Sequence, residues 1–235
     1  MNRMVLGCCV LLLFSTLATG QQLTLTARVA LASESKAKSS MDARNIVLWL
    51  TPDADSVKPK PVQHLRLVQK NKSFEPHLLV IPVGSVVAFP NRDPFFHNVF
   101  SLFEGKRFDL GLYEAGSTRD VHFDKPGVSY IFCNIHPEMS AVVVVLDTPF
   151  YGVSDQRGQI LIPNVPLGRY TRRIWYEGSP PETLRELTRE VTISDNTSTL
   201  GVLRLPDPGM PQPHKNLYGQ DYAPPNPDTP AYEHR

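Results

Sequence analysis

Residues 141–146, AVVVVL, constrain this chain more than any other stretch. β-Branched side chains are stiff at χ1 and pack well on a pleated surface, so the run favours a strand. Side chains of a strand point alternately to its two faces, and a half-buried strand therefore alternates apolar with polar residues. This run does not alternate. It predicts a strand covered on both faces, and hence a fold with a layer of structure on either side. The surrounding sequence agrees with that. Eight short β-branched or aromatic stretches, at 64–69, 78–83, 85–89, 98–103, 107–113, 119–123, 128–133 and 140–146, are separated by turn signals at Gly84, 91–94, Gly105, Gly116 and Pro126-Gly127. Such spacing indicates an all-β sandwich or barrel.

Two earlier strands are expected at 22–31 and 45–50, and four later ones at 159–162, 169–176, 190–194 and 199–205. Residues 181–190 carry Leu184 and Leu187 three apart behind Pro181, the pattern of a short helix. Residues 206–235 are proline-rich and aperiodic, and read as a tail that is disordered or laid on the surface.

The N-terminus bears on the compartment. Arg3, an apolar run at 4–17, Ala18-Thr19-Gly20 and then Gln21-Gln22 form the pattern of a secretory signal peptide over residues 1–20. No later stretch is long and apolar enough to span a bilayer. The expectation is a bacterial protein of the periplasm or exterior, with no membrane span after cleavage. Of its three cysteines, Cys8 and Cys9 fall in the leader, so Cys133 is left without an internal disulfide partner. It is then an inert core residue, a dimer link, a reactive thiol or a metal ligand. Acids and bases are interspersed at a formal net charge of +1, with no basic block, and nucleic-acid binding has no electrostatic support.

Cys133, His136 and Met139 stand three apart in YIFCNIHPEM, on a tight loop between the strands at 128–133 and 140–146, with Pro137 stiffening it. A second histidine is available in His97, which opens a strand after the turn in NRDPFFHNVFS. Two imidazoles, a thiolate and a distant thioether are the donor set of a blue-copper site. The soft sulfurs stabilise copper(I) and the imidazoles serve both oxidation states. Zinc prefers four strong ligands and fits less well. Each residue also has a plainer reading: Cys133 as core, His97 as a turn cap, Met139 as packing before the valine run. His64, His77, His122, His214 and His234 have no partner at metal-ligand spacing and read as surface residues. A protease-like Cys133–His136 pair lacks an oxyanion hole and an orienting third group, so no enzymatic activity is expected. Pro94, Phe95, Phe96 and Pro137 flank the edge of His136, where exposed apolar residues would make a docking patch for a redox protein partner in weak encounters.

The stretches NKSFEPHLLVIPVGSVVAFPNRDPFFHNVFS and KPGVSYIFCNIHPEMSAVVVV resemble the cupredoxins, the plastocyanin and amicyanin family, over residues 62–147, about two fifths of the chain. The Cys-x2-His-x2-Met loop is similar to the short ligand loop of amicyanin. The resemblance implies a Greek-key β-sandwich holding one type 1 copper ion on His97, Cys133, His136 and Met139. It also implies that Asn98 stands behind the ligands, tying the two ligand loops together near the thiolate. A second stretch, VSDQRGQILIPNVPLGRYTRRIW, resembles the later half of a carboxypeptidase-regulatory-like (transthyretin-like) β-sandwich, whose earlier half LTLTARVAL and ARNIVLWLTP would supply. The expected organisation is a leader at 1–20, a cupredoxin domain at 61–147 inserted between the halves of a second small sandwich at 21–60 and 148–205, and the tail at 206–235. In that case Trp49 and Trp175, one from each half, share a core. Two domains in series is the alternative. The layout is similar to exported proteins of the methylamine-utilisation and plastocyanin-like kind. The function it implies is single-electron transfer between redox partners. A copper-binding or delivery protein, and an interaction module on a cupredoxin scaffold, are the rivals.

Overall fold

The computed structural model describes residues 21–32, 42–54, 58–102, 105–206 and 214–222. The leader at 1–20 lies outside them, as does most of the tail. The strands are β1 (Gln22–Ala32), β2 (Val47–Pro52), β3 (Leu65–Arg66), β4 (Val68–Lys70), β5 (Ser73–Glu75), β6 (Leu78–Pro82), β7 (Ser85–Pro90), β8 (His97–Ser101), β9 (Phe108–Tyr113), β10 (Thr118–Phe123), β11 (Gly127–Cys133), β12 (Ser140–Leu146), β13 (Tyr151–Val153), β14 (Gln159–Pro166) and β15 (Gly168–Trp175). The helix α1 (Pro181–Glu186) and the strands β16 (Arg189–Ile193) and β17 (Thr199–Pro206) follow. Among the described residues the chain is all-β apart from that one short helix, and none of their helices is long and apolar enough to cross a membrane.

Four sheets form two face-to-face pairs. In one, β14-β1-β17 covers β13-β2-β15-β16 across a core that includes Leu25, Val29, Leu48, Leu50, Ile160 and Ile174. In the other, β6-β12-β11-β8-β9 covers β10-β7-β3 across Val87, Phe89, Val99, Phe123, Ile131 and Val143. The first pair is built from both ends of the chain. β1 runs antiparallel to β14 and parallel to β17, and β2 lies between β13 and β15. The strands from β3 to β12 make up the second pair and the small β4–β5 hairpin.

The two pairs meet at β12, whose residues 141–146 are all buried. Ala141, Val143 and Val145 enter the second core, while Val142, Val144 and Leu146 pack with Val47, Trp175 and the half-buried Trp49. The unbroken valine run thus has structure on both faces, as its lack of alternation requires. The two tryptophans do pack together, but in this seam rather than inside the first pair. The reason is the twofold periodicity of β2 and β15. Leu48, Leu50 and Ile174 turn to the inner core, and Val47, Trp49 and Trp175 turn to the other face.

Several boundaries differ from the sequence expectation. β14 continues to Pro166, and α1 stops at Glu186 because β16 begins at Arg189 and pairs with β15. β5 and β13 are three-residue strands held by their neighbours, too short to show a period. The turn of the β4–β5 hairpin places Asn71 and Lys72 at φ 55° and 53°. Two successive left-handed residues match the right-handed twist of the flanking strands; Asn71 tolerates that conformation, but Lys72 stands where a glycine would have marked the turn.

Candidate metal centre

β11 ends on Cys133 and pairs there with Val99 of β8, which brings the Cys133 loop beside the start of β8 at His97. The loop closes on itself: the Cys133 amide donates to the Met139 carbonyl at 3.3 Å, and the Met139 amide to the His136 carbonyl at 3.1 Å. It is tied to β8 by the Asn134 amide, which donates to the Asn98 carbonyl at 2.8 Å. The consequence is a convergence of three donors. Cys133 Sγ lies 3.6 Å from His97 Nδ1 and 3.4 Å from His136 Nδ1. The three ligand atoms all fall within 4.8 Å of one another, and all three residues are buried.

These separations fit a shared metal ion. Metal bonds of about 2.3 Å to sulfur and about 2.0 Å to nitrogen, opened to about 110°, place S and N about 3.5 Å apart. Met139 is fully buried in the same core cluster as Cys133. Two imidazoles and a thiolate, all removed from water, suit a first-row metal that tolerates soft ligands, copper first. The His–Cys–His donor set thus suggests copper binding.

Burial dominates the electrostatics of all three donors. Burial pushes the Cys133 thiol up, against the pull of the Ile135, Asn98 and His136 amides. A bound metal reverses that balance, since a coordinating thiol is deprotonated. Burial, then the neighbouring His97 and Lys72, push His136 down to about 4, which leaves Nδ1 free to bind at neutral pH. Burial also lowers His97, while Asp93 opposes it.

Asp93 is the functional residue that sequence reasoning passed over. Its carboxylate accepts from His97 Nε2 at 2.9 Å and from the Asn71 and Lys72 amides at 2.5 and 3.0 Å. The positive φ of the hairpin turn aims both amides at it. With Nε2 carrying the proton, His97 presents a bare Nδ1 to the site, the arrangement by which carboxylates orient metal-binding imidazoles. Only a turn-forming Asp-Pro was readable in the sequence. Asn98 offers its carbonyl to the Cys133 loop, but its side chain turns away and donates to Asp109 at 2.8 Å. Among the residues expected around His136, Pro94, Phe96 and Pro137 are exposed. Phe95 is half-buried, with its ring 5.3 Å from His97 and 5.5 Å from His136. Ile135, on the ligand loop itself, is exposed as well.

Part of the stretch read as a tail also reaches the site. Residues 214–222 lie on the Cys133 loop, and His214, read as a surface residue, stacks on Phe132. The contact is tertiary, so no local signal announces it.

No protein-family model matches the chain, and no curated protein matches it. Solved structures do. A purple cupredoxin from Nitrosopumilus maritimus is 26% identical, with 35% of this chain and 99% of that one covered at a TM-score of 0.32. A copper(I) form of an amicyanin variant is 21% identical, over 35% of this chain and 81% of that one, at 0.33. A copper-containing nitrite reductase from Thermus scotoductus is 22% identical, over 52% of this chain and 28% of that one, at 0.35. The structural neighbours are thus cupredoxins and a copper enzyme of which this chain spans about a quarter. With TM-scores this low, the donor atoms and not the likeness carry the chemistry.

Proposed function

We propose that this chain is a type 1 copper protein that carries single electrons between redox proteins of the periplasm. His97 Nδ1, Cys133 Sγ and His136 Nδ1 would hold one copper ion, with Met139 as the axial sulfur. The reading is carried by one observation, the convergence of the thiol and two Nδ1 atoms at 3.4 to 3.6 Å in a buried site. Bound copper supplies a one-electron couple. The protein supplies a fixed cage: Asp93 sets the His97 tautomer, the loop amides support the thiolate, and Phe95 packs between both imidazoles and the outside. Four ligands leave no position for a substrate, which favours a carrier over an enzyme. Pro94, Phe96, Ile135 and Pro137 would make the apolar surface on which a partner lands near His136, in the small, quickly released contacts that electron carriers use. The second sandwich would carry this unit as an insertion between its halves.

The test is a copper(II) titration of the metal-free protein, followed by visible absorption and paramagnetic resonance. An intense thiolate-to-copper band that saturates at one equivalent is expected, and Cys133→Ser should abolish it. Fast electron self-exchange between the oxidised and reduced forms would separate a carrier from a copper-delivery protein. A chain that stays colourless with excess copper(II) overturns the assignment.

A further inference from the structure

The segment 214–222 grips the outer side of the Cys133 loop at three points. Tyr222 Oη donates to the Cys133 carbonyl at 2.7 Å. The Leu217 amide donates to Asn134 Oδ1 at 2.8 Å. The His214 ring stacks on Phe132 with centroids 4.2 Å apart and planes 22° from parallel. The segment also holds its own shape. Asn216 Oδ1 accepts from the Tyr218 and Gln220 amides at 2.9 and 3.0 Å, and the Tyr222 ring meets His214 edge-on at 5.3 Å. Gly219 takes the φ of +75° that the turn requires. A run this well bonded to itself loses little further entropy in docking.

The Cys133 carbonyl and the Asn134 amide are the two ends of a single peptide group. Its N–H donates to the Asn98 carbonyl at 2.8 Å, and its C=O accepts from Tyr222. One planar unit is therefore held from opposite sides, by the residue that follows His97 and by the C-terminal segment. Held at both polar ends, it cannot rotate without breaking a hydrogen bond. Donation to the carbonyl also polarises the amide and strengthens its bond to Asn98. On the other side of Cys133 its own amide donates to the Met139 carbonyl at 3.3 Å, so both peptide planes that flank its Cα are held, and with them the direction of the Cα–Cβ bond.

We propose that residues 214–222 form a strap that locks the Cys133–Asn134 peptide and so aims Cys133 Sγ at the Nδ1 atoms of His97 and His136, with Tyr222 as the positioning residue. The effect on copper rests on the function proposed above, whereas the grip on the loop does not. The experiment separates the two in the full-length chain. In the metal-free protein, the rate at which a thiol reagent labels Cys133 is followed by peptide mass spectrometry. Cys133 is wholly buried, so labelling reports opening of the loop. Tyr222→Phe keeps the ring but removes the bond to the Cys133 carbonyl, together with the longer 3.4 Å contact to His214 Nδ1, and should raise the rate at least about fivefold. His214→Ala should act in the same direction. Tyr218→Phe, at an exposed ring on the same segment, should leave the rate at the wild-type value. Unchanged unfolding midpoints in all three variants would show that only the loop has loosened. With copper(II) bound, Tyr222→Phe should also shift the visible band and the midpoint potential, and Tyr218→Phe should not. Wild-type labelling rates in both Tyr222→Phe and His214→Ala overturn the strap. If wild-type protein gives no visible band at all, the copper assignment falls, while the labelling rates still decide the strap.

Discussion

His97 is constrained at both ring nitrogens, and its partner on the protein side is a carboxylate rather than a backbone carbonyl. Burial alone would raise the Asp93 pKa, but the Lys72 amide, the His97 ring and the Asn71 amide outweigh it and hold the carboxyl below its usual range. An ionised Asp93 therefore fixes the tautomer and raises the basicity of Nδ1. Asp93→Asn keeps the size and an acceptor oxygen but removes the charge. Copper affinity should fall by about 10- to 100-fold, the usual cost of losing such support, measured by competition with a chromophoric copper chelator. A change within about twofold, no more than the weakest such loss, would mean that the tautomer is set elsewhere. The site was legible in the sequence to the extent that it was local. Cys133 and His136 share one loop, and their spacing announces them. Asp93 acts through amides contributed by Asn71 and Lys72, and Tyr222 reaches Cys133 across 89 residues. Contacts of that kind exist only after the sheets have formed.

At the scale of elements, the turn before β14 shows how a short motif fixes a register. The Gly158 amide donates to the Asp155 carbonyl at 2.9 Å, and its own carbonyl accepts from Val29 at 2.7 Å, which pins the turn to β1. Gly158 has φ +74°, and a Cβ there would lie 2.2 Å from the Val29 carbonyl oxygen, backbone that cannot swing aside. Gly158→Ala should cost about 2 to 3 kcal/mol, from left-handed strain and the clash together, read as a lowered urea midpoint. The turn packs on the core of the first sheet pair and has no residue in the core that holds Cys133. The visible band of the copper-loaded variant should therefore keep its position, and an unchanged midpoint would show that β1 can yield. This turn and the long strands were readable because a glycine after polar residues and a sustained apolar pattern are strong local signals. The three-residue strands β5 and β13 owe their conformation to neighbours, and the helix pattern at 181–190 yields its last residues to the pairing of β16 with β15.

For the whole molecule, the question is how the two sheet pairs are kept in one arrangement. The seam of Val142, Val144, Leu146, Val47 and Trp175 supplies apolar burial without direction. Direction comes from His77, in the turn before β6, and Glu177, just beyond β15. His77 Nε2 lies 2.5 Å from Glu177 Oε2, and His77 Nδ1 lies 3.1 Å from the Ser140 carbonyl. Both ring nitrogens face acceptors, so the doubly protonated imidazolium satisfies both. The hydrogen bond that His77 donates to Glu177 accordingly raises the His77 pKa above 6.5, against burial. A raised folded-state pKa means that the folded chain binds more protons than the unfolded one, and stability falls as pH rises through that window. The contribution is full below 6.5 and is lost as His77 deprotonates in the folded protein. His97 and His136 in the metal-free site act with the opposite sign, because burial lowers them and their cost appears as pH falls. The raw pH profile therefore mixes the two effects, but the difference between wild type and His77→Ala isolates one. Melting temperatures of the metal-free proteins should differ most near about pH 5.5, below the ordinary histidine pKa, and the gap should close as pH rises through the raised His77 pKa. A gap that stays constant with pH would mean that the bridge is too well solvated to orient the two sandwiches, leaving the seam to hold them by burial alone.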